Sequence, residues 1–356
     1  MTTFRQSWQA PSAPRPIAII GAGGIVRDAH LPAYRKAGFT VAGLYDLEPA
    51  RARALAESWG IETVYPTLDA AVARGNEVVY DLALPPSAIT AVLPSLPDGA
   101  TVLIQKPMGA HLAEARAIQE ICVTKRLKSA INFQLRFSPM MLAVRDIIAQ
   151  GVIGQLIDID IHLSINTPWS MFPFLRDMTR VEIAVHSIHY LDLIRSLVGE
   201  PRSVFARTMA DPRSPGFAQT RTSAILDYGD MLRCTLSINH NHPTQRRFQD
   251  CSFRFEGTDG AIMASIGVLM NYPHGEPDQL WLTTGTSDWQ QIPLEGGWFP
   301  DAFIGTMSNL QRFAAGEDAE LWTATGDCIH TMALVEACFE SSRSLGTTIP
   351  PVNAAH

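Results

Sequence analysis

Residues 16–38, PIAIIGAGGIVRDAHLPAYRKAG, constrain the fold more than any other stretch. An apolar run (Ile17 to Ile20) meets a glycine cluster and then apolar residues at helical spacing, and TVAGLYD follows as a second β-rich run ending on Asp46. Strand, glycine turn, helix and strand make one βαβ unit. Gly21, Gly23 and Gly24 let the chain turn tightly and let a pyrophosphate approach the backbone N–H groups at the helix start, Ile25 and Val26, where the helix dipole favours negative charge. Val26 departs from the small residue usual at the third position of such a turn. Asp46, at the carboxyl end of the second strand, suits a ribose 2′-hydroxyl and repels a 2′-phosphate, so NAD(H) is expected over NADP(H). The same aspartate suits capping a helix that begins near Pro49.

The alternation continues through EVVYDLALP, TVLIQ and KSAINF as strands, with helices between them. That pattern predicts a doubly wound parallel sheet whose ligand lies beyond the carboxyl ends of the strands, which places Leu84, Pro85, Gln105 and Lys106 on the rim facing the cofactor. At 356 residues the chain exceeds one core and is expected to form two domains. The net charge of −7 offers no basic stripe for nucleic acid. The five cysteines form no CxxC and read as buried free thiols, the N-terminus lacks an apolar signal core, and no run approaches the ~20 apolar residues of a membrane span. A soluble, cytoplasmic protein acting on a small molecule is the expectation.

A strand ending in Lys106-Pro107, downstream of the glycine turn and of ALPP, resembles the glucose–fructose oxidoreductase / inositol dehydrogenase (Gfo/Idh/MocA) family. INFQLRFSPMMLAVRDIIAQGVIGQL, HSIHYLDLIRSLVGEP and ATGDCIHTMALVEACFESSRSLGTTIPP extend the resemblance over nearly the whole chain. It implies an NAD-binding Rossmann domain at 1–134 and a substrate-binding and oligomerisation domain at 135–356. The second would be α/β with a large, mostly antiparallel open sheet, and its last helix, about 325–345, would return to the first. QLIDIDIHLSI, RSVFARTMA, QTRTSAILDYG, MLRCTLSINHN, CSFRFEG and GAIMASI read locally as strands, in agreement. A homodimer or homotetramer and a sugar, sugar acid or cyclitol substrate are implied as well.

The resemblance makes Lys106 the group that contacts the reacting carbon's oxygen. It aligns His189 with the family's histidine and Asp192 with an acid that follows it, while Gln105 and Val185 stand where relatives carry carboxylates. On an ideal helix Glu182, His186 and His189 fall at i, i+4 and i+7 on one face. His189 is the expected general base and His186 its assistant, with Glu182 orienting one of them. That face also has metal-ligand spacing, and a divalent-metal-dependent isomerase or lyase is a second reading, although the leading one needs no metal. A nucleotide- and sugar-binding sensor without turnover and an NAD-retaining glycoside-cleaving enzyme stay open. For the substrate, Trp169 and Trp298 offer aromatic faces and Arg136 and Arg176 offer charge for a hydroxyl or carboxylate.

Overall fold

The computed structural model describes residues 4–243, 245–271, 274–344 and 346–347. The apolar runs of the first half become β1 (Ile17–Ile20), β2 (Val41–Tyr45), β3 (Val79–Leu82), β4 (Thr101–Ile104) and β5 (Lys128–Ile131), all parallel, in the order β2-β1-β3-β4-β5. Every residue of β1, β3 and β4 is buried, as a sheet covered on both faces requires. The covering helices are α1 (Leu31–Ala37), α2 (Pro49–Trp59), α3 (Leu68–Val72), α4 (Pro86–Val92) and α5 (Leu112–Thr124). IETVY adds only one bridge, Leu44 to Val64, on the outer edge of β2.

Strand order reverses between β1 and β3, and the crevice above that point is where open α/β sheets hold ligands. Gly21 sits there with φ +106°, and a Cβ would come within 2.4 Å of the Ala83 carbonyl oxygen. Only glycine lets the turn after β1 lie against the end of β3.

After α6 (Pro139–Ala149) comes an eight-stranded sheet of β6 (Leu156–Ser164), β7 (Ser203–Met209), β8 (Arg221–Asp227), β9 (Arg233–Asn239), β10 (Asp250–Gly257), β11 (Gly260–Ser265), β12 (Gln279–Thr284) and β13 (Gln290–Gln291). Its order is β13-β12-β11-β10-β6-β9-β8-β7, and every neighbouring pair is antiparallel except β6 with β9. β8 and β9 alternate buried and outward residues, so one face packs inward while Phe205 and Ile225 stand exposed on the other. The segments read as strands from the sequence form β6 to β11, whereas β12 and β13 were not foreseen. QLWLTT lies between turn-rich stretches, and in the structure its place is set by pairing with β11.

Three helices complete the chain: α7 (Ile188–Val198), α8 (Asp301–Ala315) and α9 (Thr325–Arg343). Phe303, Met307 and Leu310 of α8 share a core with Ile17 and Ile19 of β1. α9 packs on both α5 and β7, and just before it the chain extends the first sheet, with Ile131 N–H donating to the Thr323 carbonyl at 2.8 Å. The expected helix span ends at residue 345, outside the described residues. The N-terminal segment, polar in sequence, is also fastened: Trp8 packs edge-on against Trp322 and Phe137, and its indole N–H donates to Asp318 at 2.8 Å. All five cysteines are free and buried. Among the described residues no helix is long and apolar enough to cross a membrane.

Candidate active site

The glycine turn leaves a cradle. A Cβ built on Gly23 would meet nothing within 4 Å, and Gly24 is exposed, so the backbone at the start of the first helix is open to a phosphate. Val26 donates its own N–H to the Gly23 carbonyl at 3.1 Å and buries its side chain, so it shapes the turn and leaves phosphate contact to the residues before it. Asp46 is held in place by two backbone donors, Ala22 N–H and Glu48 N–H, each at 2.8 Å. Its carboxylate keeps further lone pairs for ribose hydroxyls. The expected capping of the helix from Pro49 is not seen: Glu48 is the N-cap, and Asp46 only braces the turn ahead of it through the Glu48 N–H. The site fits a dinucleotide: the turn can accept the pyrophosphate and Asp46 the adenosine ribose.

Leu84 and Pro85 stand at the carboxyl end of β3, half-buried and exposed respectively, just ahead of α4. Gln105, expected on the rim facing the cofactor, is mostly buried, and its side-chain amide oxygen accepts from Asn132 Nδ2 at 3.0 Å. Asn132 also meets His30 Nε2 at 3.3 Å, His30 Nδ1 meets Asp81 at 2.6 Å, and the Tyr34 hydroxyl donates to Asp81 at 2.7 Å. This buried polar chain escaped the sequence reading. The available signal was Asp81 itself, an acid amid the apolar EVVYDLALP, since a buried carboxylate must find partners.

Lys106 follows β4 directly and precedes Pro107 across a cis peptide bond. Its ammonium reaches the second half of the molecule and donates to the Val185 carbonyl at 2.7 Å. Burial brings its pKa down from 10.5 to about 8, into the range where a side chain can both take and return a proton. His189, in the first turn of α7, is buried with Phe133 and Trp298 edge-on to its ring at 6.4 and 5.6 Å. Its Nδ1 has no partner. Burial lowers the pKa of both His189 and His186 well below the usual value, and the nearby charge of Lys106 lowers both further. Both imidazoles are therefore neutral at pH 7. Lys106, from beyond the end of β4, and His186 and His189, from the π turn and the start of α7, thus converge on one region.

The single face drawn through Glu182, His186 and His189 does not survive. Residues Glu182–Ser187 form a π turn, whose extra residue shifts the phase of the helix before α7 begins. Glu182 consequently accepts from Ser187 Oγ at 2.7 Å and lies 3.6 Å from His240, just past the end of β9, while His189 stands outside that group. Arg136 departs further from expectation. It is buried, its guanidinium grips Asp192 through two bonds of 2.6 Å, and it also donates to the Trp322 carbonyl at 2.5 Å and to Asp327 at 2.8 Å. With those donors committed, Arg136 is a strut between the segment after β5, α7 and α9 and not a substrate ligand, and Asp192 is its counter-charge.

Trp169 lies half-buried with its ring 4.5 Å from Phe217 and about equally close to His186 and His240, at 6.3 and 6.0 Å. Arg176 is exposed, stacked over Phe217 at 4.9 Å. Trp298 is buried beside His189 and its indole N–H is unpartnered. Trp169 and Trp298 thus flank the histidines, whereas Arg176 lies at the outer edge.

Comparison with known proteins agrees with the two-sheet fold. Residues 15–133 match the family described as "Oxidoreductase family, NAD-binding Rossmann fold", and residues 141–263 match the GFO/IDH/MocA C-terminal domain. Among curated proteins, D-apiose dehydrogenase from Paraburkholderia graminis is 24% identical, covering 93% of this chain and 88% of its own. D-Xylose 1-dehydrogenase (NADP(+)) 2 from Haloferax volcanii is also 24% identical, over 69% of this chain and 74% of its own. Among solved structures, an oxidoreductase from Agrobacterium radiobacter in complex with NAD+, L-tartaric acid and magnesium superposes with TM-score 0.77 at 22% identity, covering 93% of this chain and 96% of that one. Levoglucosan dehydrogenase in complex with NADH and levoglucosan gives TM-score 0.74 at 17% identity, covering 93% and 97%.

Proposed function

The chain belongs to the Gfo/Idh/MocA family of NAD-binding oxidoreductases, and on that premise we propose that it is an NAD(H)-dependent dehydrogenase or reductase of a secondary alcohol in a sugar, sugar acid or cyclitol. The observation that carries the reading is the amine of Lys106, at the carboxyl end of β4 on the cofactor rim, tuned to a pKa of about 8 beside a neutral, buried His189. The nicotinamide supplies the acceptor or donor of hydride. Neutral Lys106 takes the hydroxyl proton as the alcohol is oxidised and returns it in reduction, while His189 hydrogen-bonds the same oxygen and holds it in line. Asp46 rejects a 2′-phosphate, and Trp169 and Trp298 line the sugar's C–H face and exclude water. The names of the relatives point to pentoses, with D-apiose and D-xylose the first candidates.

The exposed face carrying Phe205 and Ile225 supports a homodimer or homotetramer, and the composition supports a cytoplasmic setting. An NAD+ assay across D-apiose, D-xylose and a cyclitol panel tests the function. Substrate-dependent growth of the reduced-nicotinamide band is expected. Tight NADH binding with no turnover on any polyol would instead support a sensor.

A further inference from the structure

Glu182, His186 and His240 each present one ligand atom, and these atoms all lie within 4.8 Å of one another. Two features mark this as a built site. First, the group is buried and unsatisfied: the side chains of Glu182 and His240 are 0% and 3% exposed, yet Glu182 Oε2, His240 Nε2 and His186 Nδ1 have no hydrogen-bond partner. Burying three unpaired polar atoms together is costly unless something pairs with them. Second, the ligands are held from behind. Thr167 Oγ1 lies 3.0 Å from His240 Nδ1 and so fixes the ring with the opposite nitrogen facing Glu182 at 3.6 Å, and Ser187 Oγ donates to Glu182 Oε1 at 2.7 Å. Second contacts of this kind orient metal-binding imidazoles and carboxylates.

We propose that Glu182, His186 and His240 bind a divalent transition ion of the zinc class. Two imidazole nitrogens and one carboxylate make a three-ligand set that leaves a coordination position for water or substrate. The chain creates this set only because the π turn brings Glu182 towards His240 at the end of the interior strand β9, which helical spacing along 182–189 does not reveal. The ion would stand beside Lys106, whose amine bonds to the carbonyl of the residue preceding His186. Such an ion would polarise a substrate hydroxyl placed on its open position, within reach of the Lys106 side chain for proton transfer. The ion thus supplies the electrostatic help that the uncharged residues at 105 and 185 do not. This catalytic role rests on the oxidoreductase reading; binding of the ion does not.

Metal is stripped with EDTA and the full-length protein is titrated with Zn(II), and separately with Co(II) followed by its visible absorption. The expected result is one ion per chain, with intense four- or five-coordinate Co(II) bands and a raised Tm. Glu182→Gln and His240→Ala should each abolish stoichiometric binding, and Thr167→Val should weaken it by about 10–100-fold. NADH titration of every variant reports folding independently of the metal, so loss of metal with NADH binding intact supports the site. Substoichiometric binding to the wild type, or full binding retained in Glu182→Gln and His240→Ala, would overturn it. Absence of NADH binding in the wild type would instead defeat the oxidoreductase reading and leave the metal result standing by itself.

Discussion

At the residue scale, the environments of two side chains, Lys106 and Asp46, select their chemistry. Lys106 is an ordinary lysine in composition, and burial alone lowers its pKa to about 8. Oxidation needs its neutral amine, so kcat/KM for alcohol oxidation should rise as pH increases through about 8 and then level off. Reduction needs the ammonium and should fall over the same window. A flat profile, with chemistry shown to limit the rate, would remove Lys106 from the proton path. Asp46 makes a separate prediction. Asp46→Asn leaves acceptor and donor groups on the ribose but removes the charge that repels a 2′-phosphate, so the ratio of NADPH to NADH affinity should rise several-fold. Parallel titrations with the two nucleotides measure it. Both positions were legible in the sequence, Asp46 from the βαβ spacing and Lys106 from the strand-end Lys-Pro pair. Arg136 was not, because its partners Asp192 and Asp327 are far away in the chain and only the fold brings the three together.

At the scale of elements, periodicity read the first sheet and most of the second but misjudged the approach to α7. An ideal helix through Glu182 to His189 aligns three candidate ligands, and one extra residue in the π turn exchanges His189 for His240. Nothing in the local pattern marks the turn, since its hydrogen bonds depend on how the segment packs. The struts holding α7 are equally non-local. Arg136 and Asp192 are both buried and paired bidentately, so Asp192→Ala leaves the guanidinium with only the half-exposed Asp327 as counter-charge and should cost up to about 3–5 kcal/mol of stability. Denaturant unfolding measures that loss, and a change below about 1 kcal/mol, the range of exposed pairs, would show that the pair carries little weight. Replacing both partners with apolar residues of similar volume should recover part of the loss.

For the molecule as a whole, two sheets adjacent in sequence are sewn together by segments remote from both. α8 shares the core of the first sheet, the chain before α9 extends its edge, and the N-terminal segment packs Trp8 against Trp322. The family resemblance implied this return for α9, but chain length and amphipathic pattern say nothing of α8 or Trp8, because a pattern shows that a helix is covered and not what covers it. The outer face of the second sheet has the opposite character. Phe205 and Ile225, opposite one another on β7 and β8, are 66% and 52% exposed and form an uncovered apolar pair on that face. Light scattering should therefore give a mass above that of one chain, and Ile225→Lys should lower it without altering NADH affinity. A monomer at every concentration would mean that this face is not an assembly surface.

The central claim is that Lys106 moves the proton while the nicotinamide takes the hydride, and the most direct measurement compares wild type with Lys106→Met on the polyol that reduces NAD+ fastest. A fall in kcat of about 10²–10⁴-fold with NADH affinity nearly unchanged is expected. Undiminished turnover by Lys106→Met would contradict the claim.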